Sequence, residues 1–223
     1  MHKIIKMDKY KQLKNLVENY ISKIMDESLL DEMAYPTQFN FETFKNLTSF
    51  KAKQQYALEN LQGKIGAGSS RAVFKIDDDK VLKVAMNKKG IAQNEEEINI
   101  AKYDDFSVAT KIFEYDDDDF MWLEMELAKK VTPKRFKEVT GLSLQEVIDG
   151  LMSTFVKRDK NVPQETYDNE FFMNLQDLVG GYQFPVPGDF QKISTYGEVD
   201  RGHGPEIVVV DLGFTNSTSK LYR

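Results

Sequence analysis

The stretch GAGSSRAVF at residues 66–74 decides how the chain is interpreted, together with VLKVA at 81–85 and VVVDLG at 208–213. The two glycines of the first stretch stand between β-type runs, where they let backbone N–H groups approach phosphate oxygens. Lys83 can neutralise phosphate charge, and Asp211, which ends a buried apolar run, can hold Mg²⁺. Each segment alone is a weak signal, but their order along the chain predicts a nucleotide site.

Composition bounds the class of protein. The chain has 223 residues, of which 41% are hydrophobic and 12% aromatic, enough for one sizeable core or two small lobes. It has no cysteine, which excludes disulfides, thiolate metal sites and thiol redox chemistry, and fits a reducing compartment.

Charge and hydropathy bound the partners. The formal net charge of −6 argues against a dominant nucleic-acid or anionic-membrane surface. No apolar run approaches the roughly 18 residues of a membrane span, and residues 1–9 carry too many charges for a secretory signal. We therefore expect a cytosolic protein that binds neither nucleic acid nor membrane.

The N-terminal third predicts a helical extension. Apolar residues at helical spacing predict one amphipathic helix over residues 10–30 and, after a break at Pro36, a second over 41–61. Two interpretations stay open: the helices form a cap on the following domain, or they are an arm that binds a protein partner.

From residue 63 the hydrophobic period changes from helix to strand. The predicted elements, in chain order, are strands at 71–76 and 81–86, a helix at 91–103, and strands at 109–115 and 120–127. This order indicates a small, mainly antiparallel sheet that carries one helix. The acidic runs at 77–79 and 116–119 lack the spaced ligands and glycine of a calcium loop, which favours solvated turns.

The last part of the chain predicts a helical lobe. Apolar faces indicate helices at 143–155 and 170–179. The segment PVPGD at 185–189 then leads to a strand at 206–210.

These residues resemble the protein-kinase-like fold, and in particular the small kinase-like proteins of bacteriophages. The resemblance implies that the glycine-rich loop contacts nucleotide through Gly66, Gly68, Ser69 and Ser70. Arg71 stands where the family has its third glycine, and we expect it to stiffen the loop or reach a phosphate. Lys83 matches the strand lysine that contacts phosphates, and Glu97, or alternatively Glu96, matches its helix partner.

The resemblance also implies roles for residues further along the chain. MWLEMELA at 121–128 matches the segment between the lobes, so backbone groups from Glu126 to Ala128 are expected to bind adenine. Asp211 resembles the magnesium ligand of the family.

Two matches in the implied catalytic loop are incomplete. Asp189 is the candidate for the aspartate that accepts a substrate hydroxyl proton, although the family's His-Arg pair does not precede it. Ser194 takes the position of the second metal ligand, which is normally asparagine. Without the resemblance, an aspartate after Pro-Gly is as well explained as a turn residue.

The expected fold class is therefore α+β, a two-lobe kinase-like fold with an N-terminal helical extension. The predicted divisions are the extension at 1–62, an N-lobe at 63–128 and a truncated C-lobe at 129–223. Because the sequence ends soon after Asp211, we expect no activation segment or later substrate-binding helices.

Three functions follow from this interpretation. The first is an ATP- and Mg²⁺-dependent phosphotransferase in which Lys83 and Asp211 stabilise phosphates and Asp189 orients a hydroxyl. The second is a pseudokinase that binds nucleotide without turnover, and the third is a phage structural or host-interaction protein that retains the fold. We place the first slightly ahead, and the host cytosol ahead of the virion.

Overall fold

A computed structural model describes residues 36–103, 107–157 and 161–222 of the chain. The amphipathic helix predicted at 10–30 lies outside these described residues. The single helix predicted over 41–61 is wrong, because two helices stand there, α1 (Phe41–Lys45) and α2 (Phe50–Asn60). The Ser49 side chain accepts the N–H of Ala52 and so begins a new helix, as such side chains do at N-caps.

A five-stranded antiparallel sheet follows, as the strand pattern predicts. Its strands are β1 (Lys64–Ala67), β2 (Arg71–Lys75), β3 (Lys80–Ala85), β4 (Ile112–Tyr115) and β5 (Trp122–Glu126). They pair in the order β1-β2-β3-β5-β4. Helix α3 (Lys88–Tyr103) connects β3 to β4, so the predicted sheet with one helix is confirmed.

Alternation along β3 turns its side chains toward two different partners. Leu82 and Val84 pack in the core that α1 and α2 complete, whereas Val81 packs with Ile98 of α3. Lys83 shares the parity of Val81, so it faces α3. The strand period thus decides which side of the sheet carries the predicted site.

The helices α1 and α2 cover the other face of the sheet. Trp122 of β5 lies edge-on to Phe41 at 5.0 Å and to Phe44 at 5.9 Å between ring centroids. The buried Lys53 of α2 donates to the carbonyl oxygens of Phe44 and Lys45 at 2.9 and 3.0 Å. For the described part of the extension, these contacts favour the cap over the partner-binding arm.

The rest of the chain builds a helical part around a second, three-stranded sheet. Its helices are α4 (Pro133–Thr140), α5 (Leu144–Val156), α6 (Gln164–Tyr167), α7 (Glu170–Gly181) and α8 (Asn216–Ser219). Short 3-10 helices span Gly188–Gln191, Ile193–Thr195 and Lys220–Tyr222. The sheet pairs β6 (Lys129–Lys130), β7 (Tyr196–Asp200) and β8 (Pro205–Val209) in that order. The α+β class is therefore confirmed, and the helices predicted at 143–155 and 170–179 correspond to α5 and α7.

Both acidic runs form turns, as expected. Asp77 accepts the backbone N–H groups of Asp79 and Lys80, each at 2.7 Å, and Asp116 accepts that of Met121 at 3.1 Å. Such aspartates close turns by replacing a backbone acceptor. No helix among the described residues is long and apolar enough to cross a membrane.

Candidate functional site

A cleft of about 370 Å³ collects most of the residues that the sequence singles out. Its lining comprises Gly68, Ser69, Ser70, Arg71, Val73, Lys83, Gln93, Asp189, Ser194, Val210, Asp211 and Phe214. A larger cavity of about 510 Å³ beside α4, α7 and β8 contains none of the predicted site residues. The smaller cleft is therefore the candidate site.

Lys83, which lines this cleft, forms a buried ion pair with Glu97. The Nζ atom of Lys83 lies 3.0 Å from each carboxylate oxygen of Glu97 and donates to the carbonyl oxygen of Val210 at 2.9 Å. Burial lowers the pKa of Lys83, although Glu97 opposes that shift. The structure thus brings Lys83 to Glu97, and Glu96 is not its partner in these contacts.

Arg71 joins the same cluster from the start of β2. Its Nη1 atom lies 3.0 Å from Glu97 Oε2 and 3.4 Å from Asn94 Oδ1, and its Nη2 donates to Asp211 Oδ1. Burial disfavours the charged form of Arg71 and by itself would lower its pKa. The nearby carboxylates of Asp211 and Glu97 have the larger combined effect, so the pKa of Arg71 lies above its ordinary value. The expectation that Arg71 stiffens the loop or reaches a phosphate does not include these contacts, in which the guanidinium pairs with two carboxylates.

Asp211 lies just beyond β8, with its side chain 55% exposed to the cleft. The N–H of Gly213 donates to Oδ1 at 3.3 Å. Desolvation raises the pKa of this carboxyl, but the charges of Arg71 and Lys83 prevail and hold it well below the usual range. Asp211 is therefore ionised at neutral pH, and one of its oxygens already has a cationic partner.

Two glycines allow α3 to approach the cleft closely. A Cβ on Gly213 would lie 2.7 Å from the Cβ of Gln93, and one on Gly90 would lie 2.2 Å from the carbonyl oxygen of Ser70. Neither position has room for a side chain. These approaches bring Glu97 of α3 to the two segments that carry Arg71 and Asp211.

The glycine-rich loop is fastened to α3 at one end. Ser70 Oγ donates to Gln93 Oε1 at 2.5 Å, and the side-chain amide of Asn87 donates to the carbonyl oxygen of Ser69 at 3.0 Å. Gly68 lines the cleft at the exposed tip, whereas Gly66 lies within β1 opposite Val73. The loop therefore has a fixed end at Ser70 and an open tip at Gly68.

Asp189 and Ser194 line the cleft from the first two of the three 3-10 helices. Lys192 donates to Asp189 Oδ1 at 2.6 Å, a contact that raises the pKa of Lys192. The hydroxyl of Thr195 donates to the backbone carbonyl of Asp189, also at 2.6 Å, and the buried Tyr196 donates to that of Phe190 at 3.0 Å. Both hydrogen bonds fix the backbone that carries Asp189.

Glu126 and Ala128 lie at the connection between the two sheets, outside the lining of the cleft. The side chain of Glu126 accepts two hydrogen bonds from Arg201, at 3.1 and 2.8 Å. These contacts occupy the carboxylate and do not suggest that it binds nucleotide. A Cβ on Gly197 would lie 2.5 Å from the Cβ of Ala128, so β7 passes directly beneath this connection. Adenine binding by the backbone here stays a prediction.

A magnesium ion would find one oxygen of each candidate carboxylate already engaged by a cation. Oδ1 of Asp211 is engaged by Arg71, Oδ1 of Asp189 by Lys192, and Ser194 offers a hydroxyl, a weaker ligand than carboxylate. The described residues contain no group of three His, Cys, Asp or Glu side chains that could hold a metal. Asp211 and Ser194 as metal ligands therefore stay a prediction that this arrangement does not favour.

Sequence reasoning missed two arginine clusters. The place of Arg71 in the loop motif is the signal that the sequence offers. The sequence does not indicate its partners, because they lie 23 or more residues away in the chain. Arg201 gave no signal: besides Glu126 it donates to the carbonyl oxygens of Ser107 and Ala109, at 2.9 and 2.7 Å. It connects β7 to the segment before β4.

Comparison with known proteins adds little to this geometry. No protein-family model and no curated protein sequence matches the chain. Among solved structures, the chain is similar to a ternary complex of streptomycin, ATP and APH(2")-IIa, with 13% identity and a TM-score of 0.33, covering 75% of this chain and 71% of that one. A gentamicin complex of APH(2")-IIa gives 13% identity and a TM-score of 0.32, covering 75% and 70%. Likeness at this level does not bear on activity or substrate.

Proposed function

We propose that the cleft binds a nucleoside triphosphate, ATP according to the kinase-like resemblance, with its phosphates beneath the loop at 66–70. One observation carries the proposal: Lys83, which is buried and paired with Glu97, lines the same cleft as the loop tip Gly68 and Asp211. Holding a lysine charge in a buried position is costly unless it is paired. A lysine held in this way beneath a glycine-rich loop is suited to phosphate oxygens.

In the first form of this proposal the protein transfers the terminal phosphoryl group to a hydroxyl. The acceptor oxygen forms a bond to the γ-phosphorus while the bond to the β–γ bridging oxygen breaks, and Asp189 takes the hydroxyl proton. Lys83 and the loop stabilise phosphate charge. Thr195 and Tyr196 support this role because they fix the backbone of the Asp189 segment.

In the second form the protein binds nucleotide and transfers nothing. A specific observation favours it: both carboxylates that transfer would use are already in ion pairs, Asp189 with Lys192 and Asp211 with Arg71. Lys192 also stabilises the charged form of Asp189, which makes that carboxylate a weaker acceptor for the hydroxyl proton. The arrangement described here thus supports binding more directly than turnover.

Thermal unfolding of the purified full chain with and without ATP tests the binding proposal. A ligand at about 100 times its Kd adds roughly 2.7 kcal/mol of stability, equal to about 5–11 °C in Tm for a chain of this size. We expect the wild type to show this shift and Lys83→Ala to lose it. Lys134→Ala is the matched control, because the Lys134 side chain is 88% exposed on α4. Equal shifts in all three proteins would contradict the proposed site, as would none in the wild type.

Release of ADP from ATP, measured with candidate hydroxyl acceptors, then separates the two forms. Turnover that Asp189→Asn abolishes while the ATP-induced Tm shift persists supports transfer. A Tm shift without turnover in the wild type supports binding alone.

The finer predictions from the sequence remain proposals: a phage-encoded protein, a place in the host cytosol or the virion, and a protein partner held by the N-terminal helices. Helices α1 and α2 pack on the sheet, so the apolar residues of the predicted helix at 10–30 are the remaining candidates for contact with a partner. A protein that co-purifies with the wild type, but not with the double variant Leu13→Glu/Leu16→Glu, would support a partner-binding role for the N-terminal helices. A partner retained by this variant would contradict it.

A further inference from the structure

Arg71 contacts Asp211, the residue to which the resemblance assigns the binding of a metal ion. Its guanidinium lies between two carboxylates, with Nη1 at 3.0 Å from Glu97 and Nη2 in contact with Asp211. The Arg71 side chain is 6% exposed. Its Nη1 atom also lies 3.4 Å from Oδ1 of Asn94, a fully buried residue. The structure therefore holds a permanent cation at this point of the cleft.

We propose that this cleft binds its nucleotide without a divalent cation, because Arg71 already supplies positive charge at Asp211. The inference rests on the proposed nucleotide binding and specifies the form of the ligand, the metal-free triphosphate. An arginine is suited to this role because its guanidinium stays charged and its N–H groups match phosphate oxygens.

Repulsion by the Arg71 guanidinium argues against a metal ion on the oxygen of Asp211 that the guanidinium contacts. Arg71 and Lys83 carry two positive charges, Glu97 and Asp211 two negative ones, and the four side chains are joined by direct contacts. A divalent ion on the engaged oxygen of Asp211 would lie next to the guanidinium or displace it. Displacement would leave a buried arginine with half of its compensating charge, which is unfavourable.

Arg71 is also coupled to the loop that would cover the phosphates. The N–H of Gly68 donates to the backbone carbonyl of Arg71 at 3.0 Å, which closes the loop. The side chain of the same residue reaches Asp211. One residue therefore sets both the end of the phosphate loop and the cation beneath it.

Isothermal titration of the full chain with ATP, once in excess EDTA and once in excess Mg²⁺, tests the inference without any variant. We expect the Kd in EDTA to be equal to or tighter than the Kd in Mg²⁺. A Kd that weakens by more than about tenfold on removing Mg²⁺, which corresponds to about 1.4 kcal/mol, would overturn the inference and leave the proposed function intact. Absence of binding in both buffers would overturn both.

Two variants of one residue locate the effect. Arg71→Gln removes the charge, so we expect its binding of ATP to require Mg²⁺, whereas Arg71→Lys keeps the charge and should bind in EDTA. Far-UV circular dichroism and unfolding without nucleotide check that each variant folds. If Arg71→Gln does not fold, the inference is tested by comparing the Kd values of Arg71→Lys and the wild type in EDTA and in Mg²⁺. ATP binding by folded Arg71→Gln in EDTA that is as tight as wild type would contradict the role of Arg71.

Discussion

Replacing Glu97 by alanine removes the anion that two buried cations share. The Glu97 carboxylate lies 3.0 Å from both Lys83 and Arg71 and accepts the backbone N–H of Leu212 at 2.9 Å. Removing one partner of a buried ion pair costs about 3–5 kcal/mol, because the remaining charge loses its compensation. For a chain of this size that loss lowers Tm by about 6–20 °C.

Urea and thermal unfolding of the purified variant measure this effect. Glu95→Ala is the matched control, since Glu95 lies exposed on the same helix and should change stability by no more than about 0.5 kcal/mol. A Glu97→Ala variant whose stability lies within about 1 kcal/mol of that control would refute the reasoning. Such a result would mean that Lys83 and Arg71 find other partners or water at little cost.

Three further predictions concern the close approaches, the carboxylate and the arginines. Gly90→Ala should destabilise by roughly 1–3 kcal/mol in urea unfolding, because its Cβ would meet the carbonyl oxygen of Ser70 at 2.2 Å; wild-type stability would contradict the described contact. Since the pKa of Asp211 is held below its ordinary value, its ionised form contributes stability above about pH 4 that is lost as the pH falls through the lowered pKa. The difference in stability between wild type and Asp211→Asn, measured across pH, should therefore shrink below about pH 4, and a constant difference would be inconsistent with the ion pair. Arg201→Ala should cost about 3–5 kcal/mol, because the Arg201 side chain is 12% exposed between two glutamates. Arg135→Ala, at a side chain that is 40% exposed, should cost much less than Arg201→Ala in the same assay, and equal losses would argue against burial as the cause.

Much of the fold could be predicted because its signals are local. The short apolar-rich runs of β2 and β3, with an acidic turn between them, indicate a hairpin, and the apolar stripe of α5 indicates a helix. The boundary between α1 and α2 escaped prediction, since the Ser49 side chain competes for backbone N–H groups that a continuous helix would use. Strand β7 also escaped, because its short run with a glycine shows little alternation.

The sequence by itself determined the order of the site residues and the side of the sheet that carries Lys83. It also supplied the candidates Asp189 and Asp211 and the loop tip at Gly68, all of which line one cleft. Whether these residues have the functions proposed for them depends on the experiments above.

Only the tertiary structure decided what Arg71 contacts. Glu97 and Asp211 lie 26 and 140 residues away from it in the chain, and no local pattern encodes such separations. The contact exists because α3 approaches closely at Gly90 and Gly213, which brings three separate segments to one point. The balance of charge in a buried cluster depends on distances in space, and the sequence lists the charges without those distances.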